Sequence, residues 1–189
     1  MLAALLALAL ATPVQLSFAS GSQVLVNGDS NAHPWTCQTT AVQSTASHAE
    51  LPTRAGAPVF YNLRVTIPVK DLNCGNGTME EKLRDALKAD RFPNVEFALT
   101  SMNEAVGKGP GHSYEVIGGL TIAGKTKPIS FSMKASPEAD GTLASTASVG
   151  LLMSDFGVEP PTALLGMMRT YDQVVVKLQL RVKLAALTN

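Results

Sequence analysis

The sequence predicts a mainly β protein: an antiparallel up-and-down barrel of seven or eight strands carrying one short amphipathic helix. Three observations carry this. Apolar and polar residues alternate with period two along most of the chain. A single segment breaks that rhythm with helical spacing, and the connections between alternating runs are short and rich in turn residues.

The elements follow in order. Val14 to Phe18 alternates like the start of a strand, and Val24 and Val26 open a second one before the turn-like Asn27-Gly28-Asp29. Trp35 to Val42 is a Thr-rich, weaker strand. The clearest run is Val59 to Val69, with Val59, Tyr61, Leu63, Val65, Ile67 and Val69 on one face and Asn62, Arg64, Thr66 and Lys70 on the other. Val95, Phe97 and Leu99 alternate with Glu96, Ala98 and Thr100. Tyr114, Val116, Leu120 and Ile122 share a face. Ala123-Gly124-Lys125-Thr126 reads as a hairpin turn into Ile129, Phe131 and Met133. The last strand puts Val174, Val176, Leu178, Leu180, Val182 and Leu184 on one face.

The exception is the stretch after Gly77. Thr78-Met79-Glu80-Glu81 reads as a capping box, and Met79, Leu83, Ala86 and Leu87 recur at amphipathic-helix spacing. Pro93 requires the helix to end by Phe92. Strands with one apolar face each must bury those faces by closing as a barrel or stacking as a sandwich, and the meander-like spacing favours the barrel.

A chain of 189 residues suits one domain. Lys plus Arg equal Asp plus Glu at 15 each, which gives no basic excess for nucleic acid or for anionic membranes. Charged residues are 16% and hydrophobic residues 46%, a bias towards a large apolar interior. The opening MLAALLALALA is too short to span a bilayer and reads as the remnant of a secretory signal over residues 1–11, leaving residues 12–189 as the barrel domain. Cleavage after Ala11 is favoured, with Ala19 the latest candidate site. No Lys or Arg precedes Arg54, so the natural start is expected upstream. The alternative is a buried N-terminal helix. Export to an oxidising compartment makes the two cysteines, Cys37 and Cys74, a candidate disulfide, against two unrelated buried thiols.

The order of motifs carries a resemblance. Gly28-Asp29-Ser30-Asn31 with His33 and Trp35 comes first, followed by Lys82-Leu83 and Ala86-Leu87-Lys88-Ala89. Pro93-Asn94-Val95-Glu96-Phe97 and Thr100-Ser101 stand next. Gly119-Leu120-Thr121-Ile122-Ala123-Gly124-Lys125-Thr126-Lys127 and Asp155-Phe156-Gly157 close the series. From about Gly21 to Leu184 this resembles the YceI-like family of exported, lipid-binding barrel proteins. The resemblance implies an extended eight-stranded, lipocalin-like barrel, export to the periplasm or beyond, and an isoprenoid or other long-chain amphiphile in its lumen. The Cys37–Cys74 pair departs from the general family pattern, and so does the stretch Met79 to Arg91.

The residues expected to line such a lumen are Val65, Ile67, Phe97, Leu99, Val116, Leu120, Phe131, Met133, Met153, Phe156, Leu164, Met167, Val176 and Leu178. An eight-stranded barrel is either filled by its own side chains or just wide enough for one ligand. Methionines at positions 133, 153, 167 and 168 would be adaptable linings. The connection Ser154 to Tyr171, with Pro160-Pro161 and Ala163 to Met168, is a candidate lid, or equally a packed plug.

No catalytic residues, metal or cofactor are expected beyond a possible bound lipid. No Gly-x-Ser-x-Gly elbow is present, and His33, His48 and His112 lack metal-ligand spacing. Gly107 to Gly111 resembles a phosphate loop only loosely, since no Lys-Ser/Thr follows it. The reading is an exported carrier or sequestering protein for an isoprenoid-type amphiphile, polyprenyl or quinone-like, exchanging peripherally with membranes. The alternatives are a filled barrel acting as an envelope protein-interaction or stress-related module, and an enzyme on an apolar ligand. An enzyme would need a polar group in the lumen, for which Tyr61, Tyr114 and Arg169 are the candidates.

Overall fold

The computed structural model describes residues 14–45, 48–50, 59–105, 111–163 and 165–186. The expected leader at residues 1–11 and the Gly107 to Pro110 loop lie outside them. The strands are β1 (Val14–Phe18), β2 (Gln23–Ser30), β3 (Trp35–Thr39), β4 (Gln43–Thr45), β5 (His48–Glu50), β6 (Val59–Tyr61) and β7 (Arg64–Pro68). They continue as β8 (Asn94–Ala105), β9 (His112–Ile122), β10 (Lys125–Pro137), β11 (Leu143–Leu152), β12 (Thr162–Ala163) and β13 (Met168–Ala186). One helix, α1 (Gly77–Ala86), stands between β7 and β8, and 3-10 turns occupy Val69–Asp71 and Met153–Phe156.

All the pairings are antiparallel, in the order β3-β2-β13-β11-β10-β9-β8-β7-β4. The two ends of that path, β3 and β4, are separated by only Thr40–Val42, so the sheet curls back on itself. β1 and β2 pair with successive stretches of the same edge of β13. Counting β1/β2, β3/β4 and β6/β7 each as one bent strand, and setting aside the short β5 and β12, leaves eight in up-and-down order, the expected barrel.

Several local expectations are corrected. β2 runs through Asn27-Gly28-Asp29, which is no turn. Gly28 pairs with Trp35 and leaves room for its indole, since a Cβ there would lie 2.1 Å from Cζ2. The run Val59 to Val69 is not one strand. Asn62 takes φ 55° between β6 and β7, which reverses the alternation: Phe60 is buried and Tyr61 is 46% exposed. β11, Leu143 to Leu152, went unread because Ala, Ser, Thr and Gly dilute its apolar face. The hairpin between β9 and β10 is tighter than expected. Ala123 and Gly124 at φ 49° and 79° form the turn, and Lys125 and Thr126 already belong to β10. A Cβ on Gly124 would also meet the Phe92 ring at 2.4 Å.

The cap of α1 is Asn76, not Thr78. Its side chain accepts from the Met79 N–H, and Glu80, rather than Glu81, reaches back to accept from the Cys74 N–H. Helix α1 lies at the barrel end that also carries the β2–β3 turn and the β11–β13 connection. At the opposite end, Leu16, Phe60, Met102, Tyr114, Val116, Ala135 and Val182 pack into a plug. Arg181 closes that end outside, pairing with Glu138 and Asp140, and the Thr142 hydroxyl donates within the same group.

Candidate ligand-binding cavity

Between that plug and α1 the barrel is hollow. The cavity measures about 930 Å3 and is bounded by every long strand, by α1 and by the β11–β13 connection. An inward row on each strand supplies the wall. Val24 and Val26 come from β2, Val65 and Ile67 from β7, and Val95, Phe97 and Met102 from β8. Ile129, Phe131 and Met133 come from β10, and Val174, Val176, Leu178 and Leu180 from β13. Alternation aims these residues at one side of the sheet, and the curl turns that side inward. Phe97 and Phe131 tilt against each other at 5.9 Å.

The roof is built by α1 and the connection before β13. Met79, Leu83 and Ala86 of α1 face the cavity, as do Met153, Phe156, Pro161, Thr162 and Met168. Lys82 Nζ donates to the Thr162 carbonyl at 2.7 Å, tying the helix to the connection across the mouth. On the other side of the roof, the Cys37–Cys74 disulfide fastens the root of α1 to β3. An isolated bridge between Gln38 and Asn73 adds to it. Both cysteines border the cavity.

Of the residues expected to line the lumen, Val65, Ile67, Phe97, Leu120, Phe131, Met133, Met153, Phe156, Val176 and Leu178 stand on the cavity wall. Three do not. Leu99 precedes a register shift at Leu99/Ser101 that changes which side chains point inward; it packs against the plug, while Met102 reaches the cavity. Val116 is buried between its cross-strand neighbours Met102 and Phe131, which cover it. Met167 points out to solvent and is 75% exposed. Leu164 lies outside the described residues. The Ser154 to Tyr171 connection divides: Pro161, Thr162, Met168, Arg169 and Thr170 border the cavity, while Leu165 and Met167 turn away from it.

Polar groups reach the cavity in few places. Tyr61 stands outside it. Tyr114 borders it at the plug end, and burial, with Glu104 adding to the effect, pushes its phenol up to about 12. Lys82 and Arg169 stand at the mouth with His33, and no Asp or Glu is on the wall. Among the described residues, no group of three or more His, Cys, Asp or Glu is arranged to hold a metal ion, and no helix is long and apolar enough to cross a membrane.

The family model of the YceI-like domain matches residues 19–182. The chain belongs to the YceI-like family. Solved structures show the same fold. Burkholderia cenocepacia BcnA is 19% identical, with 88% of this chain and 99% of that one covered at a TM-score of 0.69. The Campylobacter jejuni YceI protein is 20% identical, with 86% of each chain covered at a TM-score of 0.57. A polyisoprenoid binding domain from Saccharophagus degradans, implicated in plant cell wall breakdown, is 11% identical, with 93% and 99% covered at 0.61. No curated protein sequence matches the chain.

Sequence reasoning missed part of this YceI-like cavity. Ser145, Val149 and Leu151 line it from the unread β11. The face Met79, Leu83 and Ala86 was legible as an amphipathic stripe, but its position as a roof was not. Trp35, Val24 and Val26 also reach the wall, and the period-two pattern of β2 and β3 contains that signal.

Proposed function

We propose that this YceI-like protein holds one long-chain, isoprenoid-type amphiphile, polyprenyl or quinone-like, in the barrel, and works by sequestering or carrying it. The single observation that carries the reading is the cavity: about 930 Å3 of space with an almost wholly apolar wall. Ligand pockets commonly span roughly 300–1,000 Å3, so this one lies near the upper end of that range. Each CH2 moved from water onto such a wall contributes about 0.8 kcal/mol before the costs of binding, which suits a long hydrocarbon chain. The polyisoprenoid binding of the Saccharophagus degradans neighbour supports the same class of ligand. The apolar sequence of residues 1–11, read as a secretory leader, and the disulfide favour a periplasmic or secreted setting. No reaction is assigned.

The second reading is a filled barrel that binds envelope proteins, and an apolar exposed rim favours it: Leu152, Leu165, Met167 and Tyr171 are all exposed at one end. The cavity argues against filling, and that rim surrounds the mouth, where it suits lipid exchange with a membrane. The deciding experiment is gentle purification from the native compartment, native mass spectrometry and organic extraction. The expected result is a co-purifying mass with a prenyl or acyl fragmentation pattern. A clean apo mass, with no uptake of added quinone or polyprenyl lipid, would replace the carrier with the protein-binding reading.

A further inference from the structure

The ladder between β10 and β11 is shorter than the strands that form it. Its last register pair is Met133 with Ala147, yet β10 begins at Lys125 and β11 runs on to Leu152. Continued by register, Phe131 would face Val149, Ser130 would face Gly150 and Ile129 would face Leu151, and none of these pairs forms. On their other sides the same stretches stay paired, β10 with β9 and β11 with β13. The two strands therefore splay apart towards the α1 end and leave a seam in the wall. The sequence marks both of its edges. Pro128 has no N–H to give and is of a kind confined to sheet edges. Gly150 has open space where a Cβ would stand.

The 3-10 turn Met153–Phe156 lies at this seam. It is tied to β13, where Asp172 accepts from the Ser154 N–H and hydroxyl. To β10 it is joined by the exposed pair Lys127–Asp155 at 3.9 Å and, among the described residues, by no backbone hydrogen bond. Exposed pairs of that kind hold little. A groove of about 540 Å3 opens on the outside, bordered by Lys127, Pro128, Gly150 and Gln173. Ile129, Leu151, Leu152 and Phe156 border both this groove and the cavity. What separates outside from inside here is apolar side chain, not hydrogen-bonded backbone. Opening a paired ladder would break backbone bonds and leave their groups unpartnered, whereas this partition yields to side-chain rotation.

We propose that the β10–β11 seam is a lateral portal, through which the hydrocarbon chain of the amphiphile slides broadside between the cavity and the outside. This rests on the carrier reading above and deepens it by naming the route. The occupant is hydrocarbon because all four shared residues are apolar, and Leu152, 44% exposed, carries that surface out to the lip. A chain on this path keeps apolar contact at every stage instead of crossing water.

The test reads Trp35, the one tryptophan of the chain, which borders the cavity. A geranyl-substituted benzoquinone quenches it on entry. Stopped-flow mixing with the full chain gives association, and dilution into excess phosphatidylcholine vesicles gives release. Two variants move the seam in opposite directions. Gly150→Phe puts a ring into the outer groove from a position that does not border the cavity, and Leu152→Ala removes part of the partition. The expected result is that Gly150→Phe slows association and release together by at least about fivefold with affinity held within about twofold, while Leu152→Ala speeds both by at least about threefold. Circular dichroism melting checks folding; should Gly150→Phe melt early, Leu152→Ala decides alone. Unchanged rates in the folded variants would overturn the portal and leave the carrier intact, its ligand passing by the mouth. A change carried by release alone would make the groove part of the resting site and equally sink the portal. No quenching of the unaltered protein, together with no uptake of geranylgeraniol, would overturn the carrier reading, and the portal with it.

Discussion

Tyr114 shows how one side chain reports on the plug. It is 1% exposed, and its phenol is pushed from 10.0 up to about 12 by burial and by Glu104. The neutral form is therefore favoured in the folded chain. Below pH 10 the phenol is neutral whether the chain is folded or not, and its full contribution is present. Between pH 10 and 12 it ionises only on unfolding, so stability falls through that window, by up to roughly 2 kcal/mol once screening is allowed for. Urea titrations at pH 9 and pH 11 should show a larger alkaline loss in the unaltered protein than in Tyr114→Phe. At this scale much of the site was legible. Strict alternation puts Val65, Phe97, Phe131 and Leu178 on the apolar faces of their strands, and those faces form the cavity wall, because a pleated strand offers only two faces. It fails wherever the backbone inserts half a step. Asn62 puts Tyr61 outside, and the shift at Leu99/Ser101 exchanges Leu99 for Met102.

At the scale of elements, the roof is the least sequence-legible part. An amphipathic stripe states that α1 buries one face, but not which surface receives it, and that surface is assembled from β3, β13 and the connection between β11 and β13. The disulfide decides where α1 is rooted. Replacing both cysteines, Cys37→Ser with Cys74→Ser, removes a 37-residue cross-link. The chain-entropy account puts the loss near 3–4 kcal/mol. The barrel strands do not depend on the bridge for pairing, so the variant should keep its β circular dichroism at room temperature. Amide exchange should rise first over residues 72–87, and ligand should dissociate faster than from the bridged form. Uniform exchange across β9 and β10 as well would mean that the bridge holds the whole barrel, not its roof.

For the molecule as a whole, even composition hides an uneven surface. Leu165, 106% exposed, and Met167 flank the left-handed Gly166 beside the mouth, with Tyr171 and Leu152 nearby. On the proposed function, a lipid leaving the cavity here would pass these side chains before it meets water. Flotation with phosphatidylcholine vesicles should recover the unaltered protein, and Leu165→Asp/Met167→Asp should remain in the bottom fraction while its melting temperature stays within a few degrees. Loss of melting temperature without loss of flotation would show that the two residues serve folding instead. The barrel class was readable because a repeated one-faced strand leaves so few ways to hide its apolar side. The hollow interior was not, since volume depends on how side chains from eight strands meet, and no single strand records it. The two fastenings of the roof differ in kind: a covalent bond at Cys37–Cys74 on one flank and a single hydrogen bond, Lys82 to Thr162, on the other. The two flanks therefore answer to different conditions: a thiol reductant severs the first, while competition from water for one carbonyl oxygen is enough to release the second.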